Sequence, residues 1–111
     1  MEKKEFYKLH AEFCKMISNP KRQEILDVLR EKENTVNGLV EKTGFSQSNL
    51  SQHLAILRSK GIVQTRRDGT YLYYSITNKK IIEAYDLVSQ VLRESLASQN
   101  KTIKDALNHK K

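Results

Sequence analysis

The spacing of apolar residues changes at Gly61, and this change constrains the fold more than any other feature of the chain. Before Gly61, apolar residues recur three and four positions apart, as they do in amphipathic helices. After it, residues 62–66 and 71–76 are rich in β-branched and aromatic residues and flank Asp68-Gly69, a dipeptide typical of type I′ hairpin turns. The sequence therefore predicts helices followed directly by a two-stranded hairpin that turns at Asp68-Gly69.

Start and stop signals divide the chain before Gly61 into four helices. Asn19 and Ser46 are favoured helix N-caps, and a proline at position 20 suits the first turn of a helix. Gly44 is a natural C-terminal stop. The predicted helices span residues 2–17, 20–32, 35–44 and 46–60.

The elements in order predict a mainly α fold with a small β-hairpin. Residues 80–97 have helical spacing again, and the tail 98–111 is polar, with at most a short, loosely docked helix. Two short helices joined by Gly44-Phe45 and followed by a hairpin form a winged helix-turn-helix, here α-α-α-α-β-β-α. A chain of 111 residues is expected to form one such domain.

Positive charge is concentrated in the middle of the chain. Residues 42–82 contain seven lysines and arginines but only one acidic residue, Asp68, so that this segment carries +6 of the net +7. Such a local field attracts polyanions, nucleic acids among them. Taken alone, it is equally compatible with a surface that only keeps the protein in solution.

The N-terminal end of the fourth helix, SQSNLSQH, carries no full charge, although 30% of the whole chain is charged. Leu50, Leu54 and Leu57 form its apolar stripe, and amide and hydroxyl side chains lie on the other sides. Amide and hydroxyl groups can read base edges in a major groove. The predicted base-reading residues are Gln47, Ser48, Asn49, Ser51 and Gln52. An ordinary capped helix with a neutral outer face is the plain alternative.

Basic residues follow this uncharged stretch, and we expect them to contact phosphates. They are Arg58 and Lys60 at the end of the helix, and Arg66 and Arg67 beside the hairpin turn, on alternate faces. We expect Tyr71, Tyr73 and Tyr74 to pack the hairpin onto the helices rather than to stack on bases.

Other functional classes have little support in the sequence. It has no nucleophile–base pair, phosphate-binding loop or carboxylate constellation, so an enzyme is not expected. No apolar run is long enough for a membrane span, and nothing at the N-terminus suggests secretion. With one cysteine, Cys14, the expected compartment is the cytoplasm.

Three segments together resemble the ArsR/SmtB family of winged helix-turn-helix repressors: SNPKRQEILDVL (18–29), TGFSQSNLSQHLAILRSKGIV (43–63) and RRDGTYLYYSI (66–76). The resemblance implies a homodimer that binds operator DNA, senses a metal, metalloid or oxidant, and dimerises through its first and last helices. The apolar residues of helix 80–97 independently cover about 220° of its circumference, more than packing on one core requires. The excess is best buried against a second copy.

The sensor sites known in this family are incomplete in this chain. The cysteine positions at the start of the third helix hold Thr35 and Asn37, and a four-ligand site on the last helix is reduced to Glu94, since its other positions hold Asn78, Lys80 and Val91. No cofactor or metal is therefore predicted. His10 and Cys14, four residues apart on the first helix, are weak candidates for metal ligands. We expect His53 to support its helix rather than to bind metal.

Together these features predict a homodimeric, sequence-specific repressor that binds double-stranded operator DNA and no membrane. Helix 46–60 would enter the major groove and hairpin 62–76 would serve as the wing. The alternative is a winged helix used as a protein-interaction module. The localised positive charge argues against that alternative, because such a module has no need of it.

Overall fold

The computed structural model describes the backbone of residues 1–109 and the side chains of these residues except 102–104 and 109. Contacts divide the chain into two compact units, residues 1–79 and the residues from 80 onward. The elements are α1 (Lys3–Ser18), α2 (Pro20–Leu29), α3 (Val36–Thr43), α4 (Gln47–Ser59), β1 (Val63–Asp68), β2 (Tyr71–Ile76) and α5 (Lys80–His109).

The core of the first unit is built from the apolar stripes of α2, α3 and α4 and from the start of the hairpin. All its buried residues are aliphatic, and no polar or charged side chain of the described residues is buried with them. The three leucines of α4 are completely inaccessible to solvent, as the sequence predicted. The buried residues are Ile25, Leu26, Leu29, Leu39, Leu50, Leu54, Leu57, Ile62 and Val63.

Side-chain caps define where the short helices begin. The Asn19 carboxamide oxygen accepts from the amides of residues 21 and 22, at 3.0 and 3.3 Å, and opens α2. The Thr35 hydroxyl accepts from the Gly38 amide, and the Ser46 hydroxyl from the Asn49 amide, both at 3.1 Å. These bonds satisfy amides that have no partner within the helix. The predicted caps Asn19 and Ser46 are thus confirmed.

Helix α2 ends at Leu29, three residues earlier than the predicted end at Lys32. The charged residues after Leu29 have no apolar side chain to bury, so that packing does not favour another helical turn. The chain instead turns and becomes extended at Asn34, whose amide and carbonyl both bond to the backbone of Tyr74, at 3.0 and 2.8 Å. Asn34 thereby adds a one-residue third strand beside β2.

The hairpin turns one residue later than predicted. Asp68 pairs with Tyr71, so the two residues of the turn are Gly69 and Thr70 rather than Asp68 and Gly69. Of these two, Gly69 alone has a positive φ, 61°. A positive φ at the first central residue only is the pattern of a type II′ turn, which a glycine at that position favours. The predicted type I′ turn is therefore wrong, whereas the two strands are confirmed.

A polar network joins α1, α2 and α4 beside the core. Arg22 donates from Nη1 to the Met16 carbonyl at 3.3 Å and from Nε to His53 Nδ1 at 3.2 Å. The predicted supporting role of His53 is confirmed by this bond. The pKa of His53 lies below its ordinary value of 6.5, chiefly because partial burial disfavours the imidazolium, and also because Arg22 and Lys21 are positive. Neutral His53 with Nδ1 as acceptor carries its proton on Nε2.

Helix α1 leaves much of its apolar stripe accessible. None of its residues is buried, and the side chains of Phe6 and Leu9 are 54% and 50% exposed. In a folded monomer, large apolar side chains that lie together and remain this exposed are typical of an interaction surface.

Helix α5 is 30 residues long and extends to His109. The predicted end near Ala97 and the separate tail are therefore wrong for residues 98–109, while residues 110 and 111 lie outside the described part. Six large apolar side chains of this helix are at least half exposed or nearly so: Leu87, Val88, Val91, Leu92, Leu96 and Leu107. No helix within the described residues is both long and apolar enough to cross a membrane.

Removing Leu54 from the core should destabilise the domain. Leu54→Ala deletes a fully buried side chain and leaves a cavity among α2, α3 and α4, so that we expect the free energy of unfolding to fall by about 2–5 kcal/mol. Urea denaturation followed by circular dichroism measures the change. The neighbouring exposed substitution Ala55→Ser should alter it by less than about 0.5 kcal/mol. Equal effects of the two substitutions would contradict the observed packing.

Stability should also depend on the protonation of His53. Because its pKa is lower in the folded than in the unfolded state, the unfolded chain binds the proton more readily, and stability falls as the pH drops through about 6.5. His53→Gln keeps an acceptor for Arg22 but cannot titrate. The difference in unfolding free energy between wild type and this variant should be constant above pH 7.5 and shift against wild type below 6.5. A constant difference from pH 5 to 8 would contradict this interpretation.

Candidate nucleic-acid interface

The uncharged residues at the start of α4 are accessible to solvent. Gln47, Ser48, Ser51 and Gln52 are all exposed. Helical spacing places Ser48 and Gln52 opposite the buried leucines and Ser51 on the flank, as predicted, whereas Gln47 lies in the first turn. Their amide and hydroxyl groups make no side-chain hydrogen bond with other described residues, so these groups are available to a ligand. The structure therefore brings four of the five predicted base-reading residues together on one accessible surface.

Asn49 differs from the other four residues, because it lies at the edge of the core. It is half-buried, and its amide oxygen is inaccessible to solvent without a hydrogen-bond partner among the described residues. A buried unsatisfied oxygen is unfavourable, so a rotation that turned this amide outward would relieve that cost. In the observed rotamer, the amide oxygen of Asn49 therefore faces the protein, whereas the side chain of Gln52 is exposed to solvent.

All four predicted phosphate-contacting residues are exposed, and three of them have no carboxylate partner among the described side chains. Arg58 and Lys60 lie at the C-terminal end of α4, and Arg67 lies on β1 close to the turn. None of the three forms an ion pair with another side chain of residues 1–108 that the structure describes. No described side chain therefore neutralises their charges, and all three residues follow the uncharged end of α4 in the sequence.

Arg66, the fourth, is held by side chains of the protein itself. Its Nε and Nη2 atoms donate to the two carboxylate oxygens of Glu33, at 3.2 and 2.5 Å, and its guanidinium lies 4.8 Å from the centre of the Tyr73 ring. The hydrogen bond to Arg66 lowers the pKa of Glu33, and Glu33 in turn raises the pKa of Arg66. Sequence reasoning missed Glu33, since nothing local connects residues 33 positions apart.

The tyrosines of the hairpin have three different environments. Tyr74 is half-buried and bonded to Asn34 through the backbone, and Tyr73 lies beneath Arg66. Tyr71 is 62% exposed, and its ring is tilted by 45° against the Tyr73 ring, with ring centres 6.4 Å apart. The expectation that Tyr71 packs onto the helices is therefore wrong, because most of this side chain remains accessible to solvent.

Two residues of α2 that the sequence did not single out stabilise this surface. Arg22 holds His53 on the side of α4, and the Lys21 ammonium lies 5.5 Å from the centre of the Phe45 ring in the turn between α3 and α4. A cation over an aromatic ring is attracted by its negative face. A basic pair in the first turn of α2, after Pro20, is the sequence signal that could have indicated this role.

The weak sensor candidates lie together but form no larger cluster. The Cys14 thiol is 3.6 Å from His10 Nδ1, and both residues are exposed on α1. Among the described residues, no group of three or more histidine, cysteine, aspartate or glutamate side chains could hold a metal ion. The Thr35 hydroxyl accepts from the Gly38 amide and so caps α3.

The surface as a whole combines uncharged hydrogen-bonding groups at the start of α4 with cations at the end of α4 and on β1 that have no described carboxylate partner. A helix of this diameter fits a major groove, where amide and hydroxyl groups can discriminate bases. Cations around it can contact phosphates, which orient a protein on a duplex without reading sequence. The geometry suits double-stranded DNA, and no described residues form a constellation typical of catalysis.

Comparison with known proteins agrees with this chemistry. Residues 19–65 match the model of the bacterial regulatory proteins of the arsR family. An HTH-type transcriptional regulator of Mycobacterium tuberculosis, Rv0081, is 39% identical over 106 residues, which are 95% of this chain and 93% of that protein. Its crystal structure superposes with a TM-score of 0.79 over 89% of this chain and 98% of that chain.

Two further solved structures have the same fold. A homodimeric winged helix-turn-helix DNA-binding domain from Mycobacterium bovis is 32% identical, with a TM-score of 0.74 over 86% of this chain and 91% of that chain. The transcriptional repressor BigR from Xylella fastidiosa is 31% identical, with a TM-score of 0.67 over 82% of this chain and 96% of that chain. These proteins are transcriptional regulators and not enzymes, and the chain belongs to the ArsR family of winged helix-turn-helix transcriptional regulators.

Proposed function

We propose that the protein binds operator DNA as a homodimer, with α4 in the major groove and the β1–β2 hairpin as the wing. The observation that carries this proposal is the accessible, uncharged end of α4 together with the unpaired cations Arg58, Lys60 and Arg67. In this arrangement Gln47, Ser48, Ser51 and Gln52 read bases, and Asn49 joins them if its amide turns outward. The cations contact phosphates on either side.

The homodimer is supported by the apolar surfaces that the monomer leaves accessible. Large side chains are exposed on α5, among them Val88 and Leu92, and others on α1, among them Phe6. The related Mycobacterium bovis domain is a homodimer. A two-fold axis would present two copies of α4 to one face of a duplex, about 34 Å apart, so that the operator should be an inverted repeat.

We further propose that the protein acts as a repressor in the cytoplasm. The Xylella relative is a named repressor, and a regulator of transcription must reach the DNA that it controls. A reporter gene placed behind the selected operator tests the direction of regulation. Higher expression on adding the protein would show activation and overturn the repressor assignment.

We also propose that no metal binds at the positions that form metal sites in well-known relatives. The Thr35 hydroxyl is engaged in capping α3, and Lys80 and Val91 have no ligand atom suited to a divalent cation. Zn²⁺ added to the protein–operator complex should therefore leave its dissociation constant unchanged. Release of the DNA by Zn²⁺ that persisted in His10→Ala and Cys14→Ser would contradict this proposal, whereas release lost in these variants would place the metal on α1.

Gln52→Ala and Arg67→Ala should weaken DNA binding in different ways. The alanine at 52 removes a base-reading amide, so that discrimination at one base pair should fall by about 1–3 kcal/mol while non-specific binding stays the same. The alanine at 67 removes a phosphate contact, so that all sequences should bind more weakly and the dependence on salt should become shallower. Fluorescence anisotropy with the duplex that wild type selects from a random library, and with a scrambled duplex, measures both effects.

Wild type provides the decisive control for this experiment. A selection that enriches no sequence, or equal affinity for the selected and scrambled duplexes, would refute sequence-specific binding. Recovery of a protein partner free of DNA from cell extract would then favour the winged helix as a protein-interaction module.

A charge in the apolar surface of α5 should dissociate the dimer. Val88 is 69% exposed, and in Val88→Glu a carboxylate would replace it in the proposed interface, where desolvation is costly. We expect the dimer dissociation constant to rise at least about tenfold in sedimentation equilibrium. Ala97→Glu, on the opposite side of α5, is the matched control and should leave dimerisation unchanged. If Val88→Glu remained as dimeric as the control, this face of α5 would not be the interface.

A further inference from the structure

The two neighbouring arginines of the wing have different surroundings and, we infer, different roles. We propose that Arg66 is a positioning residue that fixes the wing through Glu33 and Tyr73, and that Arg67 is the phosphate-contacting arginine of the pair. The inference rests on the proposed DNA binding. It assigns a function to Glu33 and removes Arg66 from the predicted DNA contacts.

The contacts of Arg66 form a bridge across the whole small sheet. Arg66 lies on β1, its cross-strand partner Tyr73 on β2, and Glu33 beside the one-residue third strand at Asn34. The guanidinium lies over the Tyr73 ring at 4.8 Å and reaches Glu33 with two hydrogen bonds, at 3.2 and 2.5 Å. Asp68, 3.8 Å from Nη1, adds a second carboxylate on the same face. The bridge therefore connects both strands of the wing to the segment between α2 and α3.

The wing needs such a connection. An isolated two-stranded hairpin is marginally stable in water. Here the backbone hydrogen bonds between Asn34 and Tyr74 attach only β2. The Thr77 hydroxyl donates to the Gly61 and Ile62 carbonyls and so joins the ends of the hairpin that lie far from the turn. The Arg66–Glu33 pair attaches β1 to the segment between α2 and α3 at a position nearer the turn than these contacts. Without it, the end of the wing would be freer to move.

The same contacts make Arg66 a poor phosphate ligand. To reach a phosphate, its guanidinium would have to release two charge-assisted hydrogen bonds, and the freed Glu33 carboxylate would remain close to the DNA and repel it. Arg67 points to the opposite face of β1 and has no carboxylate partner among the described residues. Arg67 can therefore bind a phosphate without breaking an existing interaction.

The salt dependence of DNA binding separates the two roles, because it counts the phosphates that a protein neutralises. The duplex selected by wild type serves as probe, at several salt concentrations. Arg67→Ala should reduce the slope of log affinity against log salt by about 0.9. Arg66→Ala should leave the slope unchanged and weaken binding about two- to fivefold, and Glu33→Gln should do the same. The double variant should be no weaker than either single variant, since both lose one interaction.

Arg66→Lys gives a further readout, which a purely electrostatic role would not predict. Lysine keeps the charge but cannot make the bidentate bond to Glu33. A positioning role predicts that Arg66→Lys binds the duplex as weakly as Arg66→Ala does. In hydroxyl-radical footprinting of the DNA, both variants should lose protection at the outer ends of the binding site and keep it in the centre. Thermal unfolding should show that each variant is folded; these exposed changes spare the aliphatic core.

Three results would overturn the inference. One is a slope reduced by about 0.9 in Arg66→Ala, with tighter binding by Glu33→Gln, which would make Arg66 a phosphate contact that Glu33 inhibits. Another is an affinity equal to that of wild type in both single variants, Arg66→Ala and Glu33→Gln, which would make the ion pair irrelevant to DNA binding. If wild type itself selects no duplex, the proposed function fails and the inference with it; in the first two cases the proposed function stands.

Discussion

Burial of the three leucines of α4 is the interaction on which the rest of the surface depends. Leu50, Leu54 and Leu57 are completely inaccessible, so that the rotation of α4 about its own axis is fixed by the core. Whatever lies on the opposite side is then exposed in a defined orientation. The proposed base-reading groups need no contact with the protein to be positioned, because the leucines position the helix that carries them.

The charges of the molecule fall into two classes with different consequences. Arg66, Arg22 and Lys21 are engaged with a carboxylate, an imidazole and an aromatic ring, and they hold elements of the first unit together. Arg58, Lys60 and Arg67 have no ion-pair partner among the described side chains and contribute an external field. Exposed ion pairs stabilise a fold only weakly, so that the first class acts mainly through geometry. The net charge of the protein also counts cations that are already engaged with other side chains. It therefore overstates the number of cations that a polyanion can bind.

Local patterns predicted most of the first unit, because its helices are defined by caps and aliphatic spacing. The Asn19 and Ser46 caps and the leucine stripe of α4 depend on residues three or four positions apart. Two of the predictions that were wrong in this unit depend in part on distant residues. The early end of α2 reflects pairing of Asn34 with Tyr74, and the position of the turn reflects the pairing of two strands.

The residues of the candidate DNA-binding surface could be predicted from the sequence to a similar extent. Chemical type and helical spacing were enough to find Gln47, Ser48, Ser51 and Gln52, whereas the buried oxygen of Asn49 depends on a rotamer. The Glu33–Arg66 pair joins segments with no common pattern. The length of α5 was underestimated because its last residues are polar, and polar residues can continue a helix when their neighbours allow it.

Because side chains alternate along β1, the number of residues in this strand determines which face each side chain occupies. Val63 is buried and fixes which face of the strand meets the core, so that every later residue is assigned a face by counting from it. One residue inserted or deleted between Val63 and Arg66 would exchange the faces of the two arginines without altering the composition of the wing. Homologues with the same pair of arginines but a different count from this buried position would therefore present them in exchanged orientations, and an alignment that gaps this strand freely would conceal the difference.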